Sequence, residues 1–175
     1  MKNEATLPPL RGTNDGRLII RLACSDDAPE IARLASELGY QTDAGEMRLR
    51  IEMIGANPDH AAFVAQRNSL AMEATGDAPV ERSARPIQGW IHVVRRVLLE
   101  SGESAEIVGL VVDPSARRGG VGRRLVVAAE EWSRALGLDR IIVRANSMRE
   151  EPHGFYPALD FAHTKTQRVY IKRLG

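Results

Sequence analysis

The stretch Asp113–Leu125, DPSARRGGVGRRL, contains four arginines and three glycines in thirteen residues. An apolar run, IVGLVV, precedes it, and a second run, LVVAAEEW, begins at its last residue. This order predicts a strand that turns through glycines into a helix. The first N–H groups of a helix have no partner inside it and lie at the positive end of its dipole. Because such a junction binds phosphate, the stretch predicts an anion site.

Two common nucleotide motifs do not fit this stretch. A P-loop ends in Gly-Lys-Ser or Gly-Lys-Thr, and no such sequence occurs here. In a dinucleotide fingerprint Gly120 and Gly122 would supply the first two glycines, but Leu125 stands in the place of the third, and no acidic residue ends the next strand. The other interpretation is a tight turn with solvated arginines. Three glycines and four arginines are more than a turn requires.

Composition indicates an ordinary globular chain. It has 175 residues, 43% of them hydrophobic and 27% charged, with a formal net charge of +1. We therefore expect no nucleic-acid or membrane partner, and any basic site must be local. The single cysteine, Cys24, excludes an internal disulfide framework and a cysteine-rich zinc site. The first 16 residues lack the apolar core of a signal peptide, so we predict a flexible N-terminal segment over 1–16 and a cytoplasmic location.

Hydrophobic periodicity predicts the order β, α, α, β, β, β, α, β, α, β, a mixed α/β domain around one sheet. Asp27 with Glu30 resembles a capping box at the start of the first helix, and Asp43 with Glu46 repeats it for the second. The segment 68–86 is rich in Ala, Gly, Pro and Ser and predicts a loop or a poorly ordered insertion. Further elements are a helix around Glu150–Leu159 and a terminal strand, TQRVYIKRL, over 166–174.

The glycine stretch and its flanks resemble a known family. Arg117-Arg118-Gly119-Gly120-Val121-Gly122 matches the R/Q-x-x-G-x-G/A signature of the GCN5-related N-acetyltransferases (GNAT). The GLVVDP strand, the GRRLVVAAEEWSRALG helix and the tail ANSMREEPHGFYPALDF also resemble that family, over roughly residues 17–175. The sequence departs from the family pattern at Asp160, where glycine is usual, and in the long 68–86 segment.

The resemblance implies a single-domain α/β fold over 17–175. Its central sheet is mixed and mostly antiparallel, with a parallel pair of splayed strands and flanking helices. It also implies acetyl-CoA as cosubstrate and no metal. Backbone amides of the loop would hold the CoA pyrophosphate, the splayed strand would pair with pantetheine, and Gly109 would suit a bulge there. The implied cofactor-binding residues are Leu110, Val111, Val112, Arg117, Arg118, Gly119, Gly120, Val121, Gly122, Arg123 and Asn146.

The reaction requires an acid, a base and a group that polarises the thioester. The resemblance implies Tyr156 as the acid that protonates the leaving thiolate, because a tyrosine hydroxyl keeps its proton at neutral pH, and the Val112 N–H as the polarising group. Glu106, acting through a water, is the predicted base; strict alternation would place it on one face with Val108, Leu110 and Val112. The alternatives for the base are His92 or water alone. Glu106 has a second interpretation as a solvent-facing or ion-paired structural residue, and Phe155-Tyr156 has one as an amphipathic core pair, although the match to the family favours the functional role of Tyr156.

The acceptor amine is not readable from the sequence. Trp90, Tyr40 and Gln41 are candidates for its pocket, and Arg149 is a candidate contact to acceptor or cofactor, although each has an ordinary packing or surface interpretation. We expect an N-acetyltransferase acting on a primary amine of a small molecule, with aminoglycosides among the candidates, or of a peptide. The alternative is a non-catalytic acyl-CoA-binding regulatory module. Homodimers are common in the family, and the terminal strand is a candidate contact.

Overall fold

A computed structural model describes residues 18–68, 86–146 and 154–175. They fall into two compact units, the first ending at Val143 and the second comprising Arg144–Gly175. The predicted N-terminal segment 1–16 lies outside the described residues, as does most of the 68–86 segment. The elements of the first unit are β1 (Leu18–Leu22), α1 (Ala28–Ala35), α2 (Ala44–Gly55), β2 (His60–Arg67), β3 (Ile87–Leu98), β4 (Gly102–Val112), α3 (Val121–Ala135) and β5 (Ile141–Val143).

The five strands form one sheet in the order β1-β2-β3-β4-β5. The first four strands are antiparallel to their neighbours, and β5 lies parallel to β4. A parallel pair needs a crossover connection, which α3 supplies between β4 and β5. The predicted fold class, a mixed and mostly antiparallel sheet with one parallel strand pair and flanking helices, is confirmed.

Helices cover both faces of the sheet. On α3 a stripe of buried residues at helical spacing faces the sheet, and Gly137, with φ of 75°, follows the end of the helix. Gly89 on β3 lies under this helix, since a Cβ there would be 3.2 Å from Leu125 Cδ1. On the opposite face, buried residues of α1 and α2 pack against Val64 and Val111. The core thus lies on both sides of the central strands.

The two predicted helix starts have different outcomes. Asp43 caps α2 as predicted, since its Oδ1 accepts the Glu46 N–H at 2.8 Å. The capping box predicted at Asp27 is wrong. Its carboxylate turns back toward the end of β1, where it accepts the Cys24 N–H at 2.9 Å and two hydrogen bonds from Arg21 at 2.7 Å each. A charged partner on the neighbouring strand satisfies this buried carboxylate better than the amides of α1 do.

Replacement of Asp27 by asparagine should lower the free energy of unfolding by about 3 kcal/mol, because it leaves Arg21 without its charged partner. Burial alone would raise the pKa of Asp27, but the hydrogen bonds from Arg21 and Cys24 outweigh it and hold the pKa below its usual value. The contribution of the Arg21–Asp27 ion pair to the free energy of unfolding is therefore complete above about pH 4 and is lost at more acidic pH. Urea unfolding from pH 7 to pH 3 measures this contribution, with the exposed Asp26→Asn as the control. Equal free energies of unfolding for wild type and Asp27→Asn at pH 7 would contradict a stabilising role of the pair.

The C-terminal unit differs from prediction. Its described residues contain a helical turn at 154–155 and a 3-10 turn at Pro157–Leu159, whereas 147–153 lie outside the described residues. The terminal strand predicted over 166–174 is wrong: from 161 to 175 no strand forms, and the side chains of Val169, Tyr170 and Ile171 are exposed. A strand is stabilised by a neighbouring strand, and the described residues of this unit provide none.

Asp160 ends the 3-10 turn in the left-handed region, with φ of 64°. The family usually has glycine here, because glycine adopts this conformation without strain. Aspartate and asparagine are the side chains that tolerate it best. The departure from the family pattern at Asp160 therefore keeps the backbone geometry.

Candidate functional site

The open side of β4 is the first feature of the site. Strand β5 pairs with β4 only at Ala105–Ile107. In the ladder with β3, Ile107 pairs with Val93 and Gly109 with His92, so Val108 is the extra residue of a β-bulge. Beyond the bulge, within the part of the chain that the structure describes, β4 has no strand partner on the side of β5. The ladder between the two parallel strands therefore ends at this bulge, and the splay of the pair stays a prediction.

Gly109 lies beside this bulge, as predicted, and packing explains why glycine is needed. A Cβ at this position would come within 2.7 Å of Cζ3 of Trp90. The Trp90 ring is thus packed over the backbone of β4 just beyond the last residue that pairs with β5. Its indole Nε1 is buried and has no hydrogen-bond partner among the described residues.

Backbone direction decides which residues of β4 can bind a ligand. The Asp113 N–H donates to the Gln88 carbonyl at 2.8 Å. Because hydrogen-bonded pairs alternate along an antiparallel ladder, the pair of Val111 with Trp90 is also hydrogen bonded. The N–H groups of Leu110 and Val112 therefore point away from β3, toward the open side. Leu110 and Val112, two of the three predicted pantetheine contacts, therefore have the required backbone direction. The backbone of Val111 instead forms hydrogen bonds with β3.

The turn between β4 and α3, where the sequence predicts an anion site, has an unusual backbone conformation. Gly120 is the N-cap of α3 with φ of 80°, and Arg118 also has a positive φ of 61°. A non-glycine residue in this region is uncommon and often marks a functional turn. The next amides, those of Val121 and Gly122, have no acceptor within the helix. A Cβ on Gly120 would meet no atom of the described residues within 4 Å, so these residues leave the helix end open.

Basic side chains surround the same turn. Arg117, Arg118 and Arg123 are exposed, and Arg124 is half buried. Guanidinium groups bind phosphate oxygens through paired hydrogen bonds. Together with the amides of the helix end, they fit a diphosphate. The region from Leu110 to Arg123 thus combines a strand edge for amides with a turn for phosphate.

The position of Glu106 corrects one prediction. Glu106 pairs with Val94, and this face of the sheet continues through His92 and Trp90 on β3. The bulge at Val108 reverses the alternation, so Leu110 and Val112 lie on the opposite face. The expectation that all of them share one face is wrong, because strict alternation does not hold across a bulge.

The carboxylate of Glu106 is buried and paired. Its side chain is only 7% exposed, and its Oε2 accepts a hydrogen bond from Arg96 Nη1 at 2.5 Å. Burial of an unpaired charge is costly, and the Arg96 guanidinium compensates this one. Glu103, three residues earlier on β4, is exposed and accepts a hydrogen bond from Arg95 at 2.9 Å. A base at Glu106 would act beside a fixed cation.

His92, the other candidate base, lies in a histidine pair. Its Nε2 is 3.1 Å from Nδ1 of His60 on the neighbouring strand. Burial lowers the pKa of His92 to about 4, and the charge of His60 contributes in the same direction. At neutral pH His92 is uncharged and a weak proton acceptor. This pKa disfavours it as the base for an amine.

This histidine predicts a pH dependence of stability. Unfolded, His92 binds a proton below about pH 6.5, whereas folded it stays neutral down to about pH 4. The unfolded state thus binds more protons in this window, and the free energy of unfolding should fall as the pH drops from about 6.5 to 4. His92→Gln should flatten this part of the curve in urea titrations, while exposed His163→Gln should not. The same slope in wild type and His92→Gln would contradict the assignment.

Tyr156 and Asn146 belong to the C-terminal unit. The Tyr156 ring makes edge-to-face contacts with Phe155 and Phe161, at centroid distances of 5.1 and 5.5 Å. Burial raises the pKa of Tyr156 to about 12, so its hydroxyl keeps its proton across the neutral range. Phe155 packs against it, as predicted. Asn146 is exposed.

Candidate acceptor contacts lie at the end of α1. Tyr40 follows the 3-10 turn at Ser36–Leu38 and is 68% exposed, and Gln41 beside it is exposed as well. Trp90 packs partly against the core under α1 and α2. Arg149 lies outside the described residues.

Among the described residues there is no group of three or more His, Cys, Asp or Glu arranged to hold a metal ion, and no helix is long and apolar enough to cross a membrane.

Sequence reasoning missed His60, Arg96 and Arg33. The first two reach the site through strand register, and Arg33 reaches it across the packing of α1 against the sheet. Patterns in a single sequence give no information on strand register or on which residues of a helix contact the sheet. Homodimerisation, a cytoplasmic location and the domain limits 1–16 and 17–175 stay predictions.

Comparison with known proteins agrees with this geometry. The model of the acetyltransferase (GNAT) family matches residues 45–161, more than half of the chain. The protein is thus an acyltransferase of the N-acetyltransferase class. It belongs to the GNAT family.

Individual relatives are distant. The uncharacterized N-acetyltransferase YhdJ of Bacillus subtilis (strain 168) is 24% identical over 136 residues, covering 78% of this chain and 84% of the relative. The aminoglycoside N-acetyltransferase AAC(6')-Iy in complex with CoA is similar in structure, with a TM-score of 0.72, 19% identity and coverage of 90% and 95% of the two chains. Glucosamine-6-phosphate N-acetyltransferase from Arabidopsis thaliana is also similar in structure, with a TM-score of 0.68, 19% identity and coverage of 88% and 97% of the two chains. At such identities the solved structures establish the fold alone.

Proposed function

We propose that the protein transfers the acetyl group of acetyl-CoA to a primary amine, on a small molecule such as an aminoglycoside or on a peptide. One observation carries the proposal. The open side of β4 runs directly into the amide-rich turn at the start of α3, so one continuous backbone offers hydrogen bonds to amides and then to phosphates.

The cosubstrate would lie along that backbone. The outward-facing groups of Leu110 and Val112 would pair with the pantetheine amides as an added strand does. The amides that follow, around Gly120 and Gly122, would hold the pyrophosphate, with the exposed arginines beside them. Gly119, Val121 and Arg123 complete the proposed turn. Val111 would contribute packing, and Asn146 a polar contact.

In the proposed reaction the acceptor nitrogen attacks the thioester carbonyl carbon. A C–N bond forms, the C–S bond breaks, and the electron pair leaves with sulfur as the CoA thiolate. The Val112 N–H would stabilise the oxyanion on the carbonyl oxygen. The Tyr156 hydroxyl would protonate the thiolate, and its raised pKa keeps that proton available. The proton lost by the amine would pass through a water to Glu106.

Glu106 is preferred over His92 as this base. It is buried on the face that also carries Trp90, while the low pKa of His92 makes that histidine a weak acceptor. The Arg96 ion pair supports a fixed orientation of the carboxylate. Its buried position favours proton transfer through one water over direct contact with the amine.

The acceptor class is proposed from the family and from the neighbouring structures. Similar folds occur in an aminoglycoside acetyltransferase and in a glucosamine-6-phosphate acetyltransferase. Tyr40, Gln41 and Trp90 are the proposed contacts, combining aromatic surface with polar groups. Amino sugars present apolar ring faces and hydroxyl groups, which suit such a lining.

Two measurements test the proposal. Acetyl-CoA and CoA should raise the melting temperature, while ATP and NAD should not, since a ligand that binds only the folded state stabilises it. Incubation of the enzyme and acetyl-CoA with aminoglycosides, amino sugars, polyamines and peptides should yield an acetylated product by mass spectrometry. Stabilisation by ATP or NAD alone would point to another phosphate ligand. Binding of acetyl-CoA without any product would favour the non-catalytic module.

A further inference from the structure

An ion pair joins α1 to the start of the proposed phosphate-binding turn. Arg33 lies in the last turn of α1, and its Nη2 donates to Asp113 Oδ2 at 2.9 Å. Asp113 directly follows the last residue of β4. The two residues are far apart in sequence, so the contact links two separate parts of the first unit.

The other oxygen of Asp113 shapes the turn. Its Oδ1 accepts the Ser115 N–H at 2.9 Å and the Ser115 hydroxyl at 2.6 Å. Its carbonyl accepts the Ala116 N–H at 2.9 Å, and the Ala116 carbonyl accepts the Gly119 N–H at 3.4 Å. Successive hydrogen bonds therefore run from Asp113 to the glycine next to the N-cap of α3. The Asp113 side chain thus holds the first residues of the turn, and backbone hydrogen bonds continue from there.

Arg33 itself is held in position. Its Nε and Nη2 donate to the carboxylate of Glu30, one turn earlier on α1, at 3.0 to 3.3 Å. A guanidinium fixed on one side by a carboxylate offers its remaining donors in a defined direction. Hydrogen bonds from Ser115 and then from Arg33 hold the pKa of Asp113 below its usual value, so the pair is charged across the neutral range.

We propose that Arg33 is a positioning residue for cosubstrate binding: through Asp113 it fixes the turn whose amides receive the pyrophosphate, and it ties that turn to the helix bordering the proposed acceptor contacts. This inference rests on the proposed function. Arg33 is assigned no contact with the reacting atoms. Its effect should therefore appear in the affinity for acetyl-CoA and not in the chemical step.

The test is a double-mutant cycle on acetyl-CoA affinity, measured by calorimetry. Arg33→Ala should raise the Kd for acetyl-CoA by about twofold to fivefold, the range expected for a partly exposed ion pair, with kcat at saturating cosubstrate unchanged. Asp113→Asn keeps an acceptor for the Ser115 N–H but not for Arg33, and should have a similar effect. The double variant should be no weaker than either single variant. Arg33→Lys should restore part of the loss.

Arg50→Ala is the control, because Arg50 on α2 is about as exposed as Arg33 and forms an ion pair with Glu46, away from the turn. It should leave the Kd unchanged. Wild-type affinity in Arg33→Ala, or purely additive effects in the cycle, would overturn the inference while leaving the proposed function intact. Absence of acetyl-CoA binding by the wild-type protein would instead refute the proposed function.

Discussion

Replacement of Gly120 by valine should weaken acetyl-CoA binding by about two orders of magnitude while the protein stays folded. Gly120 adopts φ of 80° at the N-cap of α3, where no atom from the described part of the chain lies within 4 Å of an added Cβ. The valine side chain would therefore occupy the space in which the phosphate is proposed to bind. Each lost hydrogen bond to a charged phosphate costs about 1.5 to 3 kcal/mol, and about 1.4 kcal/mol corresponds to tenfold in affinity.

Backbone strain must be separated from loss of the ligand. A β-branched residue in the left-handed region costs about 1 to 2 kcal/mol of stability at any such site. Gly137→Val is the matched control, because Gly137 has φ of 75° and equally open surroundings, but at the other end of α3. It should lose similar stability and bind acetyl-CoA like wild type. Unchanged affinity in Gly120→Val would refute the phosphate-binding turn.

Tyr156→Phe should lower kcat about a hundredfold and leave the Kd for acetyl-CoA nearly unchanged. The substitution removes one hydroxyl and keeps the ring contacts with Phe155 and Phe161. A positioned general acid contributes about 10² to 10⁴ to a rate. Because the proton moves only as the C–S bond breaks, the loss should appear in turnover and not in ground-state binding.

Tyr170→Phe is the control for this variant, since Tyr170 is an exposed tyrosine of the same C-terminal unit. Its steady-state kinetics should equal those of wild type. If Tyr156→Phe also turns over at the wild-type rate, the thiolate takes its proton from solvent or from another group. The assignment of Tyr156 as the acid would then be abandoned.

Local patterns predicted much of the fold. The stripe on α3, the cap of α2 at Asp43 and the crossover from β4 to β5 each depend on residues close together in the chain. The failures arose where a partner on another element decides the outcome. Asp27 prefers the guanidinium of Arg21 to a helix cap, and the segment over 166–174 forms no strand where the described residues of its unit offer no neighbour.

In the candidate site, too, the features set by neighbouring residues in the sequence were predictable, and those set by tertiary contacts were not. Glycines and arginines adjacent in sequence were sufficient to predict the turn at Gly120. The face on which Glu106 lies was not predictable, because one extra residue at Val108 reverses the alternation. The partners Arg96 and His60 depend on strand register, and the pair of Arg33 with Asp113 depends on how a helix packs. These are tertiary relations without a sequence motif.

The proposed reaction of this chain moves an acetyl group from acetyl-CoA to an amine. Release of free CoA thiol, followed continuously with a thiol reagent in the presence and absence of each amine of the panel, tests it most directly. Thiol release should depend on both the enzyme and at least one amine, and Tyr156→Phe should slow it. No release above the amine-free rate with any acceptor, from protein that binds acetyl-CoA, would contradict it.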